Sequence, residues 1–251
     1  MTGADNIFNG AADFYSLYRP TYPTALIDII SNEAGLNSKW EVADIGSGTG
    51  ILSSLFVENG NLVKCVEPND QMRQMSIKIL SAKGKVEFIK GTGEYTNLPD
   101  SSVDLVICGQ SFHWMDQGLA HREFTRILRG RKWVALVWND RVNEPGTFTG
   151  EYESVVRRYS KAYHSTGSTV LSSKNISSFF NGSYKKFQFQ NVQKLTLESV
   201  IGRYRSASYA IKENDPKYES MIGEFSDLFK KYERKGSVEM VYITKLYLGH
   251  L

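Results

Sequence analysis

A glycine-rich turn directly follows an apolar run near residue 45, and this feature constrains the fold more than any other in the sequence. The run extends from Val42 to Ile45, and glycines occupy positions 46, 48 and 50. Glycine permits positive φ angles and lets the backbone approach a bound group without an intervening Cβ. Apolar periodicity from Thr49 onward predicts a helix. A strand that enters such a turn predicts a ligand site, either for a pyrophosphate at the helix N-terminus or for a ligand without phosphate.

Up to residue 140, short apolar runs alternate with amphipathic stretches. Strands are predicted at 42–45, 62–66, 86–89, 103–108 and 132–138, and helices from Ala25, from Thr49, over 69–80 and over 119–128. This alternation predicts a parallel sheet with helices on both faces. Ligands bind such sheets at the carboxyl ends of the strands.

After residue 140 the alternation stops. Helices are predicted at 151–163, 197–209 and 216–232, and strands at 184–189 and 238–248. The two strands predict an antiparallel hairpin at the sheet edge, and the helices predict a cap. Serine-rich pieces at 165–169 and 172–174 are typical of flexible loops. The fold class predicted is α/β, with a doubly wound, seven-stranded, mostly parallel sheet, an antiparallel last strand and a helical cap.

Polar residues just beyond the predicted strands are candidates for ligand contacts. Glu67 follows the second strand about twenty residues after the glycine turn, where a carboxylate can accept both hydroxyls of a ribose. Residues 91–94 follow the third strand, and residues 109–116, which include His113, follow the fourth. Alternative interpretations stay open: Glu67 as an acid at the start of a surface helix, Glu94 as a solvated loop charge, His113 as a hydrogen-bonded structural histidine, and Trp114 as a packing residue.

The segment from Phe8 to Pro23 is dense in aromatic residues. One interpretation is an N-terminal arm whose rings fill a groove. The other is a lid over a cofactor, in which Tyr15, Tyr18 or Tyr22 lies against an aromatic base or sugar and Arg19 lies near a carboxylate.

Composition and charge indicate which kinds of partner and which environment this chain is suited to. The 251 residues carry a formal charge of +3, and basic and acidic residues are interleaved, so no nucleic-acid footprint is indicated. Cys65 and Cys108 lie in apolar runs and are expected to be buried free thiols. The sequence shows no signal peptide and no long apolar span, which predicts a soluble, cytoplasmic protein without membrane contact. No clustered Asp/Asn set indicates a metal site, and the oligomeric state is not predicted.

The ordered motifs resemble those of the class I S-adenosylmethionine-dependent methyltransferases, which have a Rossmann-like fold. The motifs are D-I-G-S-G-T-G at 44–50, V-E-P at 66–68, G-T-G-E at 91–94, S-V-D-L-V at 102–106 and Q-S-F-H-W-M-D at 110–116. Y-R-P-T-Y-P at 18–23 resembles a small-molecule subgroup that includes trans-aconitate-methyltransferase-like proteins. Further likeness at 201–209 and 238–249 extends the resemblance over essentially the whole chain.

The resemblance implies a cofactor site for S-adenosylmethionine. It assigns the glycine turn to the methionine part, Glu67 to the ribose, residues 92–94 to adenine, and Gln110 to the wall near the methyl group. Asp44 would orient the loop and the cofactor amine. The full set implied is Tyr18, Arg19, Asp44, Gly46, Ser47, Gly48, Glu67, Pro68, Thr92, Gly93, Glu94 and Gln110. Gly93 replaces the alanine that relatives often have, which is expected to loosen the adenine loop. Thr92 stands where broader families often have an aspartate.

The implied function is methyl transfer to a small-molecule acceptor. His113 is the candidate catalytic base. A carboxylate acceptor needs no base, and Arg19, Arg203 or Arg205 could pair with it. The main alternative is a regulatory or interaction protein that binds an adenosyl cofactor without catalysis. A nicotinamide-dependent oxidoreductase is disfavoured because the turn lacks the G-x-x-G spacing.

A single methyltransferase domain is expected, since no repeat or linker divides the chain. Its predicted parts are an N-terminal lid with the first helix (1–35), a cofactor-binding core (36–140), cap helices with the edge strand (141–236) and the final strand (237–251).

Overall fold

A computed structural model describes residues 12–161, 163 and 173–251. The predicted arm residues before Ala12, and the loop residues 165–169 and 172, lie outside this range. The helices are α1 (Ala12–Tyr18), α2 (Ala25–Ala34), α3 (Ile51–Glu58), α4 (Asp70–Leu80), α5 (Gln117–Ile127), α6 (Phe148–Tyr159), α7 (Ser173–Phe179), α8 (Leu197–Arg205) and α9 (Tyr218–Tyr232). The strands are β1 (Glu41–Ile45), β2 (Leu62–Val66), β3 (Val86–Ile89), β4 (Val103–Gly109), β5 (Leu128–Arg141), β6 (Tyr184–Leu195) and β7 (Val238–His250).

Seven strands form one sheet in the order β3-β2-β1-β4-β5-β7-β6. Strands β1 to β5 are parallel to one another, and β7 is antiparallel to both β5 and β6. The predicted fold class is therefore confirmed, and the expected antiparallel pair at the sheet edge is β6 with β7, although α8 and α9 separate these strands in sequence. The chain reverses its direction of winding between β1 and β4, which places a ligand-binding crevice at their carboxyl ends.

Alternate residues of the central strands enter two apolar cores, one on each face of the sheet, as the two-residue period of a strand requires. On one face, Ala43 and Ile45 pack with Phe124 and Ile127 of α5. On the other face, Val42 and Ile107 pack with side chains of α2 and α3. The predicted buried thiols are confirmed, because Cys65 and Cys108 are free and buried within these strands.

A third apolar cluster joins the cap helices to the first residues of β7. Tyr152 of α6, Tyr204 of α8, Phe225 of α9 and Tyr242 of β7 are fully buried in it. Rings of Tyr152 and Phe225 stack with centroids 5.1 Å apart. This cluster fixes the position of α8 relative to the sheet.

Several boundaries differ from the sequence-based expectations. Ser173 and Lys174 begin α7 instead of continuing a loop, because Ile176 and Phe179 bury their side chains in the core. The Phe179 ring lies edge-on to Phe112 at 4.6 Å. Strand β6 continues to Leu195, six residues beyond its predicted end, because it pairs with β7 along its whole length.

The residues after Tyr15 form the end of a short helix, α1, and then an extended piece through Pro23. In the part of the chain that the structure describes, no helix has the length and apolar character needed to cross a bilayer.

Candidate functional site

The glycine turn lies at the carboxyl end of β1 and is held tightly to its neighbours. Main-chain N–H groups of Gly46 and Ser47 both donate to the Val66 carbonyl, at 2.8 and 3.1 Å. Gly46 has a φ of +68°, and a Cβ there would lie 2.6 Å from Cβ of Ser111. A side chain at position 46 is therefore excluded both by backbone conformation and by space.

Glu67 connects the end of β2 to this turn. Its Oε2 accepts a hydrogen bond from the Gly48 N–H at 2.8 Å, and its Oε1 accepts one from the Asn69 N–H at 2.9 Å. The residue is 8% exposed and lines a cavity together with Pro68. A carboxylate is an acceptor-only group with two lone pairs on each oxygen, which suits it to ribose hydroxyls as well as to these N–H groups.

Asp44 is buried beneath the turn. The Ser53 hydroxyl donates to its Oδ2 at 2.5 Å, whereas its Oδ1 has no hydrogen-bond partner among the described residues. The pKa of the Asp44 carboxyl is raised to about 7, because burial raises it, the Ser53 hydrogen bond opposes the shift and the nearby charge of Glu67 adds to it. A buried acceptor without a partner is costly. The carboxyl is therefore suited to a ligand that brings a cationic N–H donor.

At the end of β4, Gln110 adopts a left-handed conformation with a φ of +58°. Such a conformation is uncommon for a residue with a side chain and persists only where the surroundings require it. The Gln110 Nε2 donates to the Asn139 carbonyl at 3.1 Å. The preceding Gly109 approaches Tyr22 so closely that a Cβ would lie 2.9 Å from its hydroxyl. The end of β4 therefore brings backbone and the Gln110 side chain to the crevice.

The loop after β3 is held by local contacts. The Tyr95 N–H donates to Oγ1 of Thr92 at 3.1 Å, and the Asp116 N–H donates to Oε1 of Glu94 at 2.8 Å. A Cβ at Gly93 would lie 2.3 Å from the sulfur of Met115. The glycine thus makes room for a packed methionine side chain, and the expected looseness of this loop stays a prediction.

Two adjacent cavities lie along the carboxyl ends of the strands. We name them after the adenosine and the methionine tail of the cofactor that the sequence motifs imply. The adenosine-side cavity, as we name it, is lined by Tyr15, Gly46, Gly48, Glu67, Pro68, Met72, Thr92, Gly93, Glu94, Gly109, Gln110, Ser111, Trp114 and Met115. The tail-side cavity is lined by Tyr15, Arg19, Pro20, Tyr22, Asp44, Gly46, Ser47, Gly48, Ile51, Leu52, Gly109, Gln110, Asn139 and Arg203. The structure thereby brings together every residue of the expected cofactor set except Tyr18.

Tyr18 instead attaches α1 to the cap. Its hydroxyl donates to Glu198 at 3.2 Å, and its ring covers Gly202, where a Cβ would lie 2.2 Å from the ring edge. Tyr15 and Tyr22, the other two tyrosines considered for the lid, do line the tail-side cavity.

His113 lies on a short 3₁₀ turn, Phe112–Trp114, and is not among the residues that line the two cavities. Its ring lies 5.0 Å from that of Trp114, and its Nδ1 has no partner among the described residues. Burial lowers the pKa of His113 to about 4, so the imidazole is neutral at pH 7. The catalytic role of His113 stays a prediction.

The sequence reasoning missed Asn139 as a site residue. It directly follows the predicted fifth strand, so inspection of that strand end would have found it. Its Oδ1 accepts from the Thr244 hydroxyl at 2.5 Å and its Nδ2 donates to the Thr21 carbonyl at 3.2 Å. These bonds fix Asn139 at the wall of the tail-side cavity.

Of the three arginines considered for an acidic acceptor, Arg19 and Arg203 line the tail-side cavity. Arg205 does not: its Nε donates to the Tyr218 hydroxyl at 2.7 Å, and its Nη2 pairs with Glu213 at 3.0 Å. Tyr204, another candidate for the acceptor pocket, is fully buried in the cap cluster.

Comparison with known proteins finds similarity to methyltransferases. Residues 43–136 match the model of a methyltransferase domain. An uncharacterized methyltransferase of Mycobacterium tuberculosis is 35% identical over 156 residues, which are 60% of this chain and 61% of that protein. The chain thus aligns with about three fifths of the length of this curated relative. The narrower likeness to trans-aconitate-methyltransferase-like proteins stays a prediction, because this relative is uncharacterized.

Solved structures share the whole fold. A candidate methyltransferase from an antibiotic biosynthesis pathway of Anabaena variabilis superposes with a TM-score of 0.64 at 20% identity, covering 92% of this chain and 99% of that one. A geranyl diphosphate methyltransferase solved in complex with SAM superposes with a TM-score of 0.50 at 14% identity, covering 91% of this chain and 85% of that one. Residues 43–136 are thus similar to a methyltransferase domain, and the chain has a fold that solved methyltransferases share.

Proposed function

We propose that this chain transfers a methyl group from S-adenosylmethionine to a small-molecule acceptor. The observation that carries the proposal is the Asp44 carboxyl, which is buried at the tail-side cavity with Oδ1 unpartnered among the described residues. The methionine part of the cofactor ends in an ammonium group, which would supply the missing donor and a compensating charge.

The lining residues suit the rest of the cofactor. Glu67 offers carboxylate oxygens to the ribose, and the loop at Thr92 to Glu94 offers backbone groups to the adenine edge. Met72 and Met115 supply polarizable apolar surface to the base. Gly46 and Gly48 let the chain backbone approach the ligand closely. The residues that line the two cavities are thus chemically suited to both the adenosine and the methionine part of an adenosyl ligand.

S-adenosylmethionine, when bound, supplies a methyl group on a positively charged sulfur, which is already activated for in-line displacement. The protein then needs to align the acceptor and exclude water. Gln110 and Tyr15 line both cavities and therefore stand where the two ligands would meet. Helix α1 contributes Tyr15 to the walls of this region, and α8 contributes Arg203.

The acceptor decides whether a proton must be removed. A carboxylate acceptor needs no base, and two arginines in the tail-side cavity suit an acid. A phenol, amine or carbon acid needs a proton acceptor, and His113 stays the candidate for that case. In that case, His113→Ala should lower turnover while leaving S-adenosylhomocysteine affinity unchanged. His250→Ala, at the opposite end of the sheet beside Trp133, is the matched control.

The proposal is tested by titration calorimetry with S-adenosylmethionine, S-adenosylhomocysteine and NAD in parallel. Binding of both adenosyl ligands and not of NAD supports the cofactor assignment. Methyl transfer to small carboxylic acids, phenols and amines is then measured with radiolabelled donor. Binding of NAD alone would overturn the proposal, and binding of the adenosyl ligands without transfer to any acceptor class would favour the non-catalytic alternative.

A further inference from the structure

Two arginines that are far apart in sequence line the tail-side cavity. Arg19 follows α1, and Arg203 belongs to α8 of the cap. Arg203 is only 4% exposed. Its Nε donates to the Tyr242 hydroxyl at 3.4 Å, and its Nη1 has no partner among the described residues.

The partners of Arg19 are neutral. Its Nε donates to the Ser206 hydroxyl at 3.0 Å, and its Nη2 donates to the Ser206 carbonyl at 2.6 Å. The guanidinium also lies 4.4 Å from the centroid of the Tyr15 ring. Burial and the positive charge of Arg203 lower the pKa of Arg19, but a guanidinium stays charged at neutral pH.

Negative charge at this end of the cavity does not balance the two arginines. Among the described residues that line the cavity, only Asp44 carries a carboxyl, and its pKa is about 7. Arg141 adds a third guanidinium to the neighbourhood, but that group is paired with Glu153 at 2.8 Å. Buried charges without partners destabilise a fold. An arrangement of this kind is favourable when a ligand supplies the anion.

We propose that Arg203 and Arg19 form a carboxylate-binding site at the tail-side cavity. The inference rests on the proposed function and names the chemistry that the cap contributes to it. The planar guanidinium fork of arginine matches a carboxylate with two parallel hydrogen bonds. The carboxylate belongs either to the methionine part of the cofactor or to the methyl acceptor.

Arg205 provides a matched control on the same helix. It lies two residues from Arg203, and its partners, Tyr218 and Glu213, are outside both cavities. Arg203→Met and Arg205→Met each remove one guanidinium from α8 and keep a long, flexible side chain. Differences between the two variants therefore report on the cavity.

The first arm of the test measures S-adenosylhomocysteine and 5′-methylthioadenosine by calorimetry. The second ligand has the adenosine and the sulfur but lacks the amino-acid part. If the site binds the cofactor carboxylate, Arg203→Met weakens S-adenosylhomocysteine about tenfold or more and leaves 5′-methylthioadenosine unchanged. Arg203→Lys retains the charge without the planar fork, so its affinity for S-adenosylhomocysteine should lie between those of wild type and Arg203→Met.

The second arm measures binding of citrate, succinate and benzoate to protein saturated with S-adenosylhomocysteine. If the site binds the acceptor, wild type and Arg205→Met bind at least one acid, and Arg203→Met loses it while retaining both adenosyl ligands. The inference is overturned if Arg203→Met matches Arg205→Met in both arms. It is also overturned if Arg203→Met loses the two adenosyl ligands equally, because that result indicates a structural role.

Failure of the inference and failure of the proposed function give different results. Wild-type protein that binds no adenosyl ligand refutes the cofactor assignment, and the inference with it. Wild-type protein that binds S-adenosylhomocysteine with an affinity independent of Arg203, and binds no acid through it, refutes the inference alone.

Discussion

The Glu67 carboxylate accepts a hydrogen bond from the Gly48 N–H at 2.8 Å, and so joins the end of one strand to the turn that follows its neighbour. The residue therefore positions the glycine turn in addition to any contact with a ribose. Both roles require an ionised, acceptor-only group.

Glu67→Gln should weaken S-adenosylhomocysteine binding by about 1 to 3 kcal/mol, since an amide nitrogen replaces one acceptor oxygen and opposes an N–H group. The measurement is calorimetric titration of the variant. Glu87→Gln, at an exposed position of β3, should bind like wild type. An affinity for Glu67→Gln equal to that of wild type would remove Glu67 from the cofactor site.

Asp44 should make cofactor binding depend on pH. Its ionised form pairs with an ammonium group, and the pKa of the ligand-free carboxyl is about 7. We expect S-adenosylhomocysteine affinity to rise as pH increases from 6 to 8 and then to level off. Asp44→Asn should bind more weakly, by about 1 to 3 kcal/mol at pH 8, and should lose this pH dependence. A wild-type affinity that stays constant over the same interval would contradict the ammonium contact.

The same substitution should stabilise the protein in the absence of ligand. In the unfolded chain Asp44 ionises near pH 4, whereas in the fold it stays protonated up to about pH 7. Between these values the unfolded state binds fewer protons, so the Asp44 contribution to stability falls as pH rises. The free energy of unfolding of Asp44→Asn should exceed that of wild type by an amount that grows from pH 4 to pH 7, to on the order of 4 kcal/mol. Urea titrations at pH 4.5, 6 and 8 measure it, and an equal difference at all three would contradict the buried acid.

His113 should make the fold sensitive to acid. Burial lowers its pKa to about 4, while in the unfolded chain it titrates near 6.5. The unfolded state therefore binds more protons between these values, and stability falls as pH decreases through them, by on the order of 3 kcal/mol. His113→Asn should lose less stability than wild type between pH 7 and pH 4.5, as measured by urea titration. His250→Asn is the control, and identical acid sensitivity in His113→Asn and wild type would contradict a buried neutral imidazole.

The central strands could be predicted from sequence because both faces are buried and their runs are mostly apolar. Strand β5 was only partly predicted. Its first residues, Leu128 to Lys132, are mostly polar, and Gly130 and Lys132 have positive φ angles, so the apolar pattern begins only at Trp133. Helix α7 was not predicted because a segment of seven residues, three of them serine, is too short to show the apolar periodicity of a helix.

The candidate site was predictable to the extent that topology determines it. Residues after parallel strands meet at one edge of a sheet, which brings Asp44, Glu67, Gly93 and Gln110 together without knowledge of packing. Arg203 reaches the same cavity through the cap, where the packing of α8 against α9 and β7 decides its position. No periodicity distinguishes Arg203 from Arg205, although the structure gives them different surroundings.

Gly93 and Met115 should behave as a coupled pair. A Cβ at Gly93 would lie 2.3 Å from Sδ and 2.7 Å from Cγ of Met115, so Gly93→Ala overpacks the loop that lines the adenosine-side cavity. We expect a loss of roughly 1 to 3 kcal/mol in the free energy of unfolding and weaker binding of 5′-methylthioadenosine. Met115→Ala removes the clashing atoms, so the double variant should lose less than the sum of the two single variants.

Gly223→Ala is the control for the effect of replacing a glycine by alanine where no clash results. Gly223 lies within α9, and nothing stands within 4 Å of a Cβ built there. Alanine is the better helix former, so this variant should be about 0.5 to 1 kcal/mol more stable than wild type. Urea titrations of all four variants give the coupling energy. If the effects of Gly93→Ala and Met115→Ala add without coupling, the methionine does not occupy the space that the glycine leaves, and the looser adenine loop expected from the sequence is the better description.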